Sequence, residues 1–413
     1  MLHNATPGVE QVLENGQQKA YIGFDPTAPS LTIGNYVQIM LLKLFQLSGH
    51  QPVVLMGGAT GRVGDPSFKS EERFLKSFEE LDANLAHQIN QFHKFLNFEE
   101  GPNPALMVNN LDFYKEMNVL DFLRDVGKTV TVNYMNSKES VKKRIETGLS
   151  FTEYSYQLLQ GYDFQCLYER EGVIMQMGGS DQWGNITTGT EFIRKNLGKH
   201  AYALTTPLLT KADGSKFGKS ESGNLWLDPE KTSPYKFYQF WVNADDRDLP
   251  KFIRYFTLKS KEEVEAIEAE HADNPNALKR ILAEELTQRV HSKADYEAVM
   301  KVSELLFNKK ASKETLLTLD EKSLATVAAE IPSFSVPKST LQNGINIIDL
   351  IAEQTSIVSS KGDARRAIKG NAIAINKDKV TSHETVINHE SLLHGKYIMV
   401  DNGKKNKFVL VVE

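Results

Sequence analysis

The chain has 413 residues, of which 40% are hydrophobic and 24% charged, so it is long enough for two or three globular domains with a large core. Its formal net charge is −5, so a polyanionic partner would have to be bound by local basic patches. The single cysteine, Cys166, leaves no pair for a disulfide or a cysteine-based metal site, which favours a reducing compartment. No apolar run approaches the roughly 18 residues of a membrane span. Because residues 1–18 also lack a signal-peptide pattern, we expect a cytoplasmic protein.

The stretch 20–35 predicts the first candidate binding element. Residues 20–24 have the pattern of a strand, a proline-rich loop follows, and an apolar helix begins near Gly34. The free N–H groups and positive dipole of a helix N-terminus suit an anionic ligand, which Gly34 would allow to approach the backbone closely. The alternative left open by this stretch is an ordinary strand–turn–helix with Thr32 as its N-cap.

The next elements complete a βαβ unit. An apolar helix over residues 35–47 and a β-branched strand over 51–56 predict a parallel sheet covered on both faces, with a right-handed crossover. Apolar residues at helical spacing predict a long amphipathic helix over 70–98, and residues 105–108 predict a further strand. In open sheets of this kind, ligands bind at the carboxyl ends of the strands.

The loop after the second strand contains glycines that imitate a dinucleotide-binding motif. The spacing of Gly58, Gly61 and Gly64 does not match that motif. A proline also follows at position 66, where the helix of such a motif should already be running, so we reject a nicotinamide or flavin site. This strand-end loop carries three charged side chains, Asp65, Lys69 and Arg73.

A helix predicted over residues 152–167 carries a polar face. Tyr156, Gln160 and Asp163 fall at positions i, i+4 and i+7, so they share one side of the helix. A phenol, an amide and a carboxylate in that arrangement predict a polar wall around a ligand, with a solvated stripe as the alternative.

The strand predicted over residues 172–177 also ends in a candidate site. The sequence GGSDQWGN follows it, and Asp181 and Gln182 in that sequence have the side chains to bind hydroxyl groups or a carboxylate. A helix is predicted behind this loop over residues 186–196.

The stretch 205–222 ends in Gly218–Lys219–Ser220, which resembles the end of a Walker phosphate loop. That motif requires glycine at position 213, where this chain has aspartate, so we reject it. The remaining prediction is a mobile basic loop that closes over phosphates during a reaction. Its lysines are Lys211, Lys216 and Lys219.

The rest of the chain predicts a helical region, a linker and a small terminal domain. Residues 249–307 have helical patterns, and the polar stretch 308–343 with its prolines predicts a linker. Residues 344–413 predict a separate domain in which 361–369 form a basic helix. This helix is a candidate patch for RNA phosphates, or else an ordinary solvated face. Its cations are Arg365, Arg366 and Lys369.

Several stretches together resemble one family. TIGN at 32–35 looks like the HIGH signature of class I aminoacyl-tRNA synthetases, and KFGKS at 216–220 looks like their KMSKS loop. YIGFDPTA, GDPSFKSEER, SYQLLQGYDF and GGSDQWGN follow the order and wording of bacterial tyrosyl-tRNA synthetases. The C-terminal region is similar to the RNA-binding module named after a small-subunit ribosomal protein.

The resemblance implies a fold class and a division into domains. It implies an α/β protein whose Rossmann-like parallel-sheet catalytic domain, with inserted connective helices, covers residues 1–222. A helical domain at 223–307 and a linker at 308–343 would follow, with an α+β RNA-binding domain at 344–413. Relatives usually carry a further helical segment before the first strand, so we expect the start of this sequence to be truncated.

The resemblance also implies the chemistry. Such enzymes join tyrosine to the α-phosphate of ATP, release pyrophosphate, and pass the tyrosyl group to the 3′ end of tRNA(Tyr). They act by positioning and by stabilising phosphate charge, so no nucleophilic side chain is required. The implied protein is a homodimer without a DNA or membrane partner and without a tightly bound cofactor. Any Mg²⁺ would arrive with ATP, because the sequence shows no dedicated carboxylate cage.

Residue roles follow from the matched motifs. Tyr21 and Asp163 would hold the substrate phenol. The α-ammonium would be held by Asp65, Tyr156 and Gln160, and the carboxylate approached by Gln182. The ATP site would comprise Gly23, Asp25, Thr27, Gly34, Gly179, Asp181, Lys216 and Lys219, with Gly179 and Asp181 at the ribose. The catalytic set would be Thr32, Asn35, Lys69, Arg73, Lys216 and Lys219. Its lysines and arginine, together with Thr27, would bind the leaving polyphosphate.

The chain departs from the family pattern at the HIGH signature. Both histidines are replaced, by Thr32 and Asn35, whose side chains donate hydrogen bonds but do not ionise, so we expect activity without a titration from this motif. A tryptophanyl-type synthetase is the nearest alternative, and Tyr21 with Asp163 argues against it because an indole has a single donor. A non-enzymatic RNA-binding protein on a synthetase core is the other alternative, and the intact lysines of KFGKS argue against it.

Overall fold

The structure, a computed structural model, describes residues 2–65, 76–145, 148–215, 217–220, 223–308, 311–403 and 406–413. The chain divides into two compact units. The first unit contains Met1–Thr232 and Phe240–Leu286, and the second contains Ser233–Gln239 and Thr287–Glu413. Among the described residues, no helix is both long enough and apolar enough to cross a membrane.

A six-stranded sheet forms the centre of the first unit. Its strands are β1 (Asn4–Ala5), β2 (Lys19–Phe24), β3 (Gln51–Met56), β4 (Leu106–Asn109), β5 (Met175–Gly179) and β6 (Tyr202–Thr206). Their order is β1-β6-β5-β2-β3-β4, and every neighbouring pair is parallel except β1 with β6. Strand β2 lies in the middle, where Tyr21 is in register with Val53 on one side and Gln176 on the other. The predicted parallel sheet is confirmed.

Helices pack around this sheet. They are α1 (Val9–Glu14), α2 (Ile33–Leu47), α3 (Phe78–Phe92), α4 (Val119–Asp121), α5 (Val132–Asn136), α6 (Glu139–Ile145), α7 (Phe151–Glu171) and α8 (Trp183–Leu197). A π-helical segment, Phe122–Gly127, continues α4. Helix α7 is capped by the Ser150 side chain at its start and ends at Gly172, whose φ of 68° is left-handed.

The long helix predicted over 70–98 is shorter in the structure. Ser77 caps α3 by accepting a hydrogen bond from the N–H of Glu80, and the helix ends at Phe92. Residues 66–75 lie outside the described part of the chain, so Lys69 and Arg73 do as well. The apolar spacing continues beyond the helix because Phe95 and Leu96 are buried in the turns that follow it.

The segment after β6 contains a short hairpin and a run of helices. These are β7 (Lys219–Ser220), β8 (Gly223–Asn224), α9 (Pro234–Val242), α10 (Leu249–Phe256), α11 (Lys261–Glu270), α12 (Pro275–Val290) and α13 (Lys293–Phe307). Residues of α9 and α12 are divided between the two units.

The second unit continues with short helices and two sheets. The helices are α14 (Lys313–Leu317), α15 (Glu321–Glu330), α16 (Lys338–Gln342), α17 (Ile347–Asp349) and α18 (Lys361–Lys369). The strands are β9 (Ser333–Val336), β10 (Ile345–Asn346), β11 (Ile373–Ile375), β12 (Asp378–Lys379), β13 (Val386–Ile387), β14 (Tyr397–Asn402) and β15 (Asn406–Val412). A π-helical segment, Leu350–Gln354, follows α17. The larger sheet has the order β12-β11-β14-β15-β9, and β10 pairs with β13.

The predicted linker at 308–343 is wrong in the structure. The segment contains α14, α15, β9 and α16, and β9 pairs in parallel with β15. Val336 and Leu341 are each 1% exposed and belong to the core that includes Ile398 and Leu410. The apolar residues Val336 and Leu341 of this polar stretch are therefore buried against the larger sheet. The C-terminal fold begins before residue 344, because β9 is one of its strands.

Candidate active site

The loops that follow the parallel strands place polar side chains at one edge of the sheet. Asp25 follows β2, Thr60 follows β3, Asn110 follows β4, and Gln182 follows β5. Because the carboxyl ends of parallel strands meet at one edge, these residues converge although they are distant in sequence. Gly57 allows this convergence, since a Cβ atom there would overlap the carboxylate of Asp25.

Tyr21 occupies the floor of this region. It is fully buried on β2, and its ring contacts Phe164 edge-on with 5.2 Å between the ring centroids. Its hydroxyl makes no hydrogen bond with any described residue. Burial, reinforced by the nearby carboxylate of Asp163, raises the pKa of Tyr21 well above its usual value. The phenol therefore keeps its proton and remains available as a donor.

Asp163 lies beside Tyr21 and is 1% exposed. Its Oδ2 accepts a hydrogen bond from Asn110 Nδ2 at 2.8 Å, and its Oδ1 accepts one from the hydroxyl of Tyr114 at 2.7 Å. Burial raises the pKa of Asp163 to about 7, although both hydrogen bonds favour the charged form. Both donors are neutral, so they orient the carboxylate without balancing its charge.

A second group of carboxylates lies at the other end of the same helix face. The Tyr156 hydroxyl donates to Asp25 Oδ2 at 3.0 Å, and Gln182 Nε2 donates to Asp65 Oδ2 at 2.7 Å. Burial raises the pKa of Tyr156, and the charges of Asp25 and Asp65 raise it further. Gln160 is 8% exposed on this face of α7. The predicted polar wall is thus buried, and its negative charge suits a cation.

Hydrogen bonds connect Asp163 at one end of this helix face with Asp25 at the other. Thr60 donates to Asp25 Oδ1 at 2.6 Å, and Asn110 Nδ2 lies 3.0 Å from Thr60 Oγ1 as well as contacting Asp163. The complete chain of side chains is Tyr156, Asp25, Thr60, Asn110, Asp163 and Tyr114. Sequence reasoning missed Thr60, Asn110 and Tyr114. The first two follow strand ends and could have been found from their position, whereas Tyr114 carries no such signal.

The sequence predicts that Thr32 and Asn35, at the start of α2, donate hydrogen bonds to a ligand, but in the structure they also bond to each other. Thr32 caps the helix, and its hydroxyl donates to Asn35 Oδ1 at 2.8 Å. The Thr32 N–H also donates to Asn35 Oδ1 at 2.9 Å, which completes a capping box. The Thr32 proton is thus engaged within the cap, while no described residue accepts from Asn35 Nδ2. Gly34 is exposed beside them.

The KFGKS stretch lies next to this helix start. Gly218 has a φ of 88°, and a Cβ atom there would approach Ile33 Cγ2 to 2.9 Å and the Gly34 nitrogen to 3.5 Å. Phe217 is 5% exposed and packs against Phe252, with 5.1 Å between ring centroids. The two signature motifs are therefore adjacent. Lys216 lies outside the described residues, as does the side chain of Lys219.

The other residues predicted for a nucleotide are distributed along the same edge. A Cβ atom at Gly23 would meet nothing within 4 Å, so the backbone there is open to a ligand. A Cβ atom at Gly179 would lie 2.5 Å from Asp181 Oδ1. The N–H of Thr27 donates to the carbonyl of Asp25 at 2.8 Å, which tightens the loop after β2.

In the second unit, α18 presents its cations outward. Ala364 and Ile368 are buried on one side of the helix, whereas Arg365, Arg366 and Lys369 are exposed. Arg366 forms an ion pair with Asp363 on the same helix. The predicted basic face therefore exists.

Comparisons with known proteins agree with this arrangement. A family described as "tRNA synthetases class I (W and Y)" matches residues 13–308, and one described as "Tyrosine--tRNA ligase SYY-like C-terminal domain" matches residues 324–411. The chain is 54% identical over 414 residues to the Tyrosine--tRNA ligase of Cytophaga hutchinsonii, covering 99% of this chain and 96% of that one. It is 50% identical over 420 residues to the Tyrosine--tRNA ligase of Bacteroides thetaiotaomicron, covering 100% of this chain and 97% of that one.

Solved structures show the same likeness. The C-terminally truncated mitochondrial tyrosyl-tRNA synthetase of Aspergillus nidulans matches with a TM-score of 0.66 and 28% identity, covering 74% of this chain and 91% of that one. The tyrosyl-tRNA synthetase of Archaeoglobus fulgidus, at 17% identity and a TM-score of 0.53, covers 72% of this chain and 96% of that one and shares the fold. The chain belongs to the tyrosyl-tRNA synthetase family of the class I tRNA synthetases.

Proposed function

We propose that this protein activates L-tyrosine with ATP, forming tyrosyl-adenylate and pyrophosphate, and then transfers the tyrosyl group to the 3′ end of tRNA(Tyr). The observation that carries this proposal is the buried pair formed by Tyr21 and Asp163. Tyr21 offers a donor without a partner among the described residues, and Asp163 is an acceptor held by two neutral donors. A phenol hydroxyl both accepts and donates one hydrogen bond, so it complements this pair.

The same pair supports the choice of tyrosine over phenylalanine. A phenylalanine ring would leave the buried Tyr21 hydroxyl without an acceptor and would give the Asp163 carboxylate no donor to balance its charge beyond Asn110 and Tyr114. Each buried polar group left without a hydrogen bond costs roughly 1–3 kcal/mol, and a charged group costs more. Tryptophan would leave one of the two groups unsatisfied, because an indole N–H donates and does not accept.

The opposite end of the site suits the amino acid head group. We assign the α-ammonium to Asp65, Tyr156 and Gln160, which line the negative end of the α7 face. Gln182 donates through Nε2 to Asp65 Oδ2 and accepts at Oε1 from Asn185 Nδ2 at 3.3 Å, so its amide is fixed at both ends. The second hydrogen on Nε2 would be the donor to the substrate carboxylate. In this pose the tyrosine spans the chain of hydrogen bonds between Asp25 and Asp163.

ATP would bind at the α2 start and the adjoining KFGKS stretch. The exposed backbone at Gly23 and Gly34 allows phosphates and ribose to approach closely, and Thr27, Gly179 and Asp181 lie along the same edge. Asn35 Nδ2 would supply an uncharged hydrogen bond to the phosphates, and Thr32 would hold that amide in place through its own hydrogen bond to Asn35 Oδ1. The cations Lys69, Arg73, Lys216 and Lys219 are assigned to the leaving pyrophosphate by the resemblance of their motifs. Catalysis then consists of positioning and charge stabilisation.

Mg²⁺ would enter as part of the ATP substrate. The described residues contain no group of three or more His, Cys, Asp or Glu side chains that could hold a metal ion. In the second unit, the outward cations of α18 support contact with tRNA phosphates. A cytoplasmic location fits both a tRNA substrate and the single buried thiol of Cys166.

A homodimer is the proposed assembly. Six apolar side chains between residues 119 and 151 are at least half exposed, which is unusual for a soluble surface that has no partner. They are Val119, Leu120, Leu123, Val132, Ile145 and Phe151. A second copy of the chain would remove these groups from water.

Aminoacylation of a bacterial tRNA mixture tests the proposed function. Labelled tyrosine should be transferred to tRNA in the presence of ATP and Mg²⁺, whereas labelled tryptophan and phenylalanine should not. Transfer of tryptophan would favour the tryptophanyl alternative. Binding of tRNA without transfer of any amino acid would favour a non-enzymatic RNA-binding protein.

A further inference from the structure

The hydroxyl of Tyr114 has two possible acceptors and one proton. It lies 2.7 Å from Asp163 Oδ1 and 3.0 Å from the carbonyl oxygen of Leu159. Burial and the charge of Asp163 raise the pKa of Tyr114 well above its usual value, so the phenol stays protonated. One O–H cannot donate to both oxygens at once, so the acceptor it chooses depends on the charge of Asp163.

The two protonation states of Asp163 imply two hydrogen-bond arrangements. When Asp163 is ionised, Tyr114 donates to Oδ1 and Asn110 donates to Oδ2. When Asp163 is protonated, Asn110 still requires Oδ2 as its acceptor, so the acid proton belongs on Oδ1. That proton then points to the Tyr114 oxygen, and the Tyr114 proton turns to the Leu159 carbonyl.

We propose that Tyr114 is a positioning residue for tyrosine recognition, whose single proton switches between Asp163 and Leu159 as Asp163 loses or gains a proton. The proposal rests on the proposed function, because it assigns the ionised arrangement to the tyrosine-bound enzyme. The substrate phenol donates its proton to the ionised carboxylate of Asp163. A protonated Asp163 carries its own O–H group and is a weaker acceptor for that phenol, so tyrosine binds less tightly. Tyrosine binding below neutral pH therefore releases the Asp163 proton to solvent.

The phenols and the thiol around Asp163 do not titrate in this pH range. Tyr21 on β2 and Tyr156 on α7 both have pKa values raised by burial, and burial raises the pKa of Cys166 to about 12. Asp25, in the loop after β2, acts on Asp163 as a like charge and contributes to its raised pKa. The pKa of Asp163, raised to about 7 mainly by burial, places its titration in the physiological range.

The test compares Tyr114→Phe with Tyr162→Phe. The Tyr162 ring lies 5.7 Å from that of Tyr114, and its hydroxyl contacts Cys166, so it is a matched phenol outside the Asp163 network. The dissociation constant of L-tyrosine is measured by equilibrium dialysis from about pH 6 to about pH 8.5. In the parent protein it should rise as the pH falls below about 7. In Tyr114→Phe the midpoint should move up by about one pH unit, because a lost hydrogen bond to a charged group is worth roughly tenfold. Tyr162→Phe should keep the parent midpoint.

Proton counting provides a second measurement that does not depend on a variant. Tyrosine added to the parent protein in weak buffer should release a proton at about pH 6 and none at about pH 8.5. A parent affinity independent of pH, or equal weakening by Tyr114→Phe at every pH, would overturn the switch while leaving tyrosine activation intact. Failure of the parent to bind tyrosine at any pH would instead overturn the proposed function and the switch with it.

Discussion

Replacing Asp163 by asparagine removes the buried charge at the phenol end of the site and keeps nearly the same volume. The pKa of Asp163 is raised from 3.8 to about 7, chiefly by burial. A carboxyl group whose pKa is raised on folding contributes stability that is fully present below its unfolded pKa and is lost as the pH rises through its folded pKa. The window is therefore from about pH 4 to about pH 7.

The size of the change in unfolding free energy follows from the shift in the pKa of Asp163. The difference between 3.8 and about 7 is about three units, and each unit corresponds to about 1.36 kcal/mol. The parent protein should thus lose roughly 4 kcal/mol of unfolding free energy relative to Asp163→Asn between about pH 4 and about pH 8. The asparagine can reproduce the hydrogen bonds of the protonated acid, because its oxygen accepts from Asn110 and an N–H donates to the Tyr114 oxygen while the Tyr114 hydroxyl turns to the Leu159 carbonyl.

Urea unfolding followed by tryptophan fluorescence measures this difference. The chain has three tryptophans, Trp183, Trp226 and Trp241, and all belong to the first unit, so their emission reports the unit that contains Asp163. At each pH, the free energy of unfolding of the variant is subtracted from that of the parent, so that the contributions of all other carboxylates cancel. Parallel stability curves across this pH range would mean that Asp163 is ionised throughout in the folded protein, which would refute the role given to burial.

Three further variants, two single and one double, test the separate parts of the proposed function. Tyr21→Phe should raise the KM for tyrosine in pyrophosphate exchange by roughly tenfold, because one hydrogen bond to the substrate is lost. The free energy of unfolding should not fall, because the Tyr21 hydroxyl has no partner among the described residues. An unchanged KM would contradict the role given to Tyr21. Thr32→Val should lower the free energy of unfolding by about 1 kcal/mol, because the N-cap of α2 is lost. The pH profile of adenylation should keep its shape, because Thr32 does not ionise. Loss of an ionisation from that profile would contradict the uncharged motif. Replacing both Arg365 and Lys369 by glutamate should impair tRNA charging and make tRNA binding less dependent on salt, because two cations are lost. Pyrophosphate exchange, which does not need tRNA, should be unchanged. Undiminished tRNA charging would contradict the role given to α18.

The central sheet could be predicted because its signals are local. Strand β3 matches the predicted residues 51–56, and α2 covers the predicted helix 35–47 with two residues added at its capped start. The shared face of Tyr156 and Asp163 could be predicted as well, because helical spacing alone determines which side chains lie together.

The remainder depends on contacts between distant segments. Nothing near Tyr114 in the sequence indicates that its hydroxyl meets Asp163, since the contact requires the turn after β4 to pack against α7. Strand β9 was hidden because four residues in a polar stretch become a strand only when β15 lies beside them. At the start of α2, the sequence predicts both an anion site at the helix N-terminus beside Gly34 and a cap at Thr32; the structure shows the cap, and the phosphate site stays a prediction.

Tyrosine-dependent exchange of labelled pyrophosphate into ATP tests the central claim most directly, because it requires the phenol site, the ammonium site and the phosphate site to act together without tRNA. Tyrosine should support exchange at a rate that phenylalanine and tryptophan do not approach, since only a phenol satisfies both Tyr21 and Asp163. No exchange with tyrosine, or equal exchange with phenylalanine, would contradict the account.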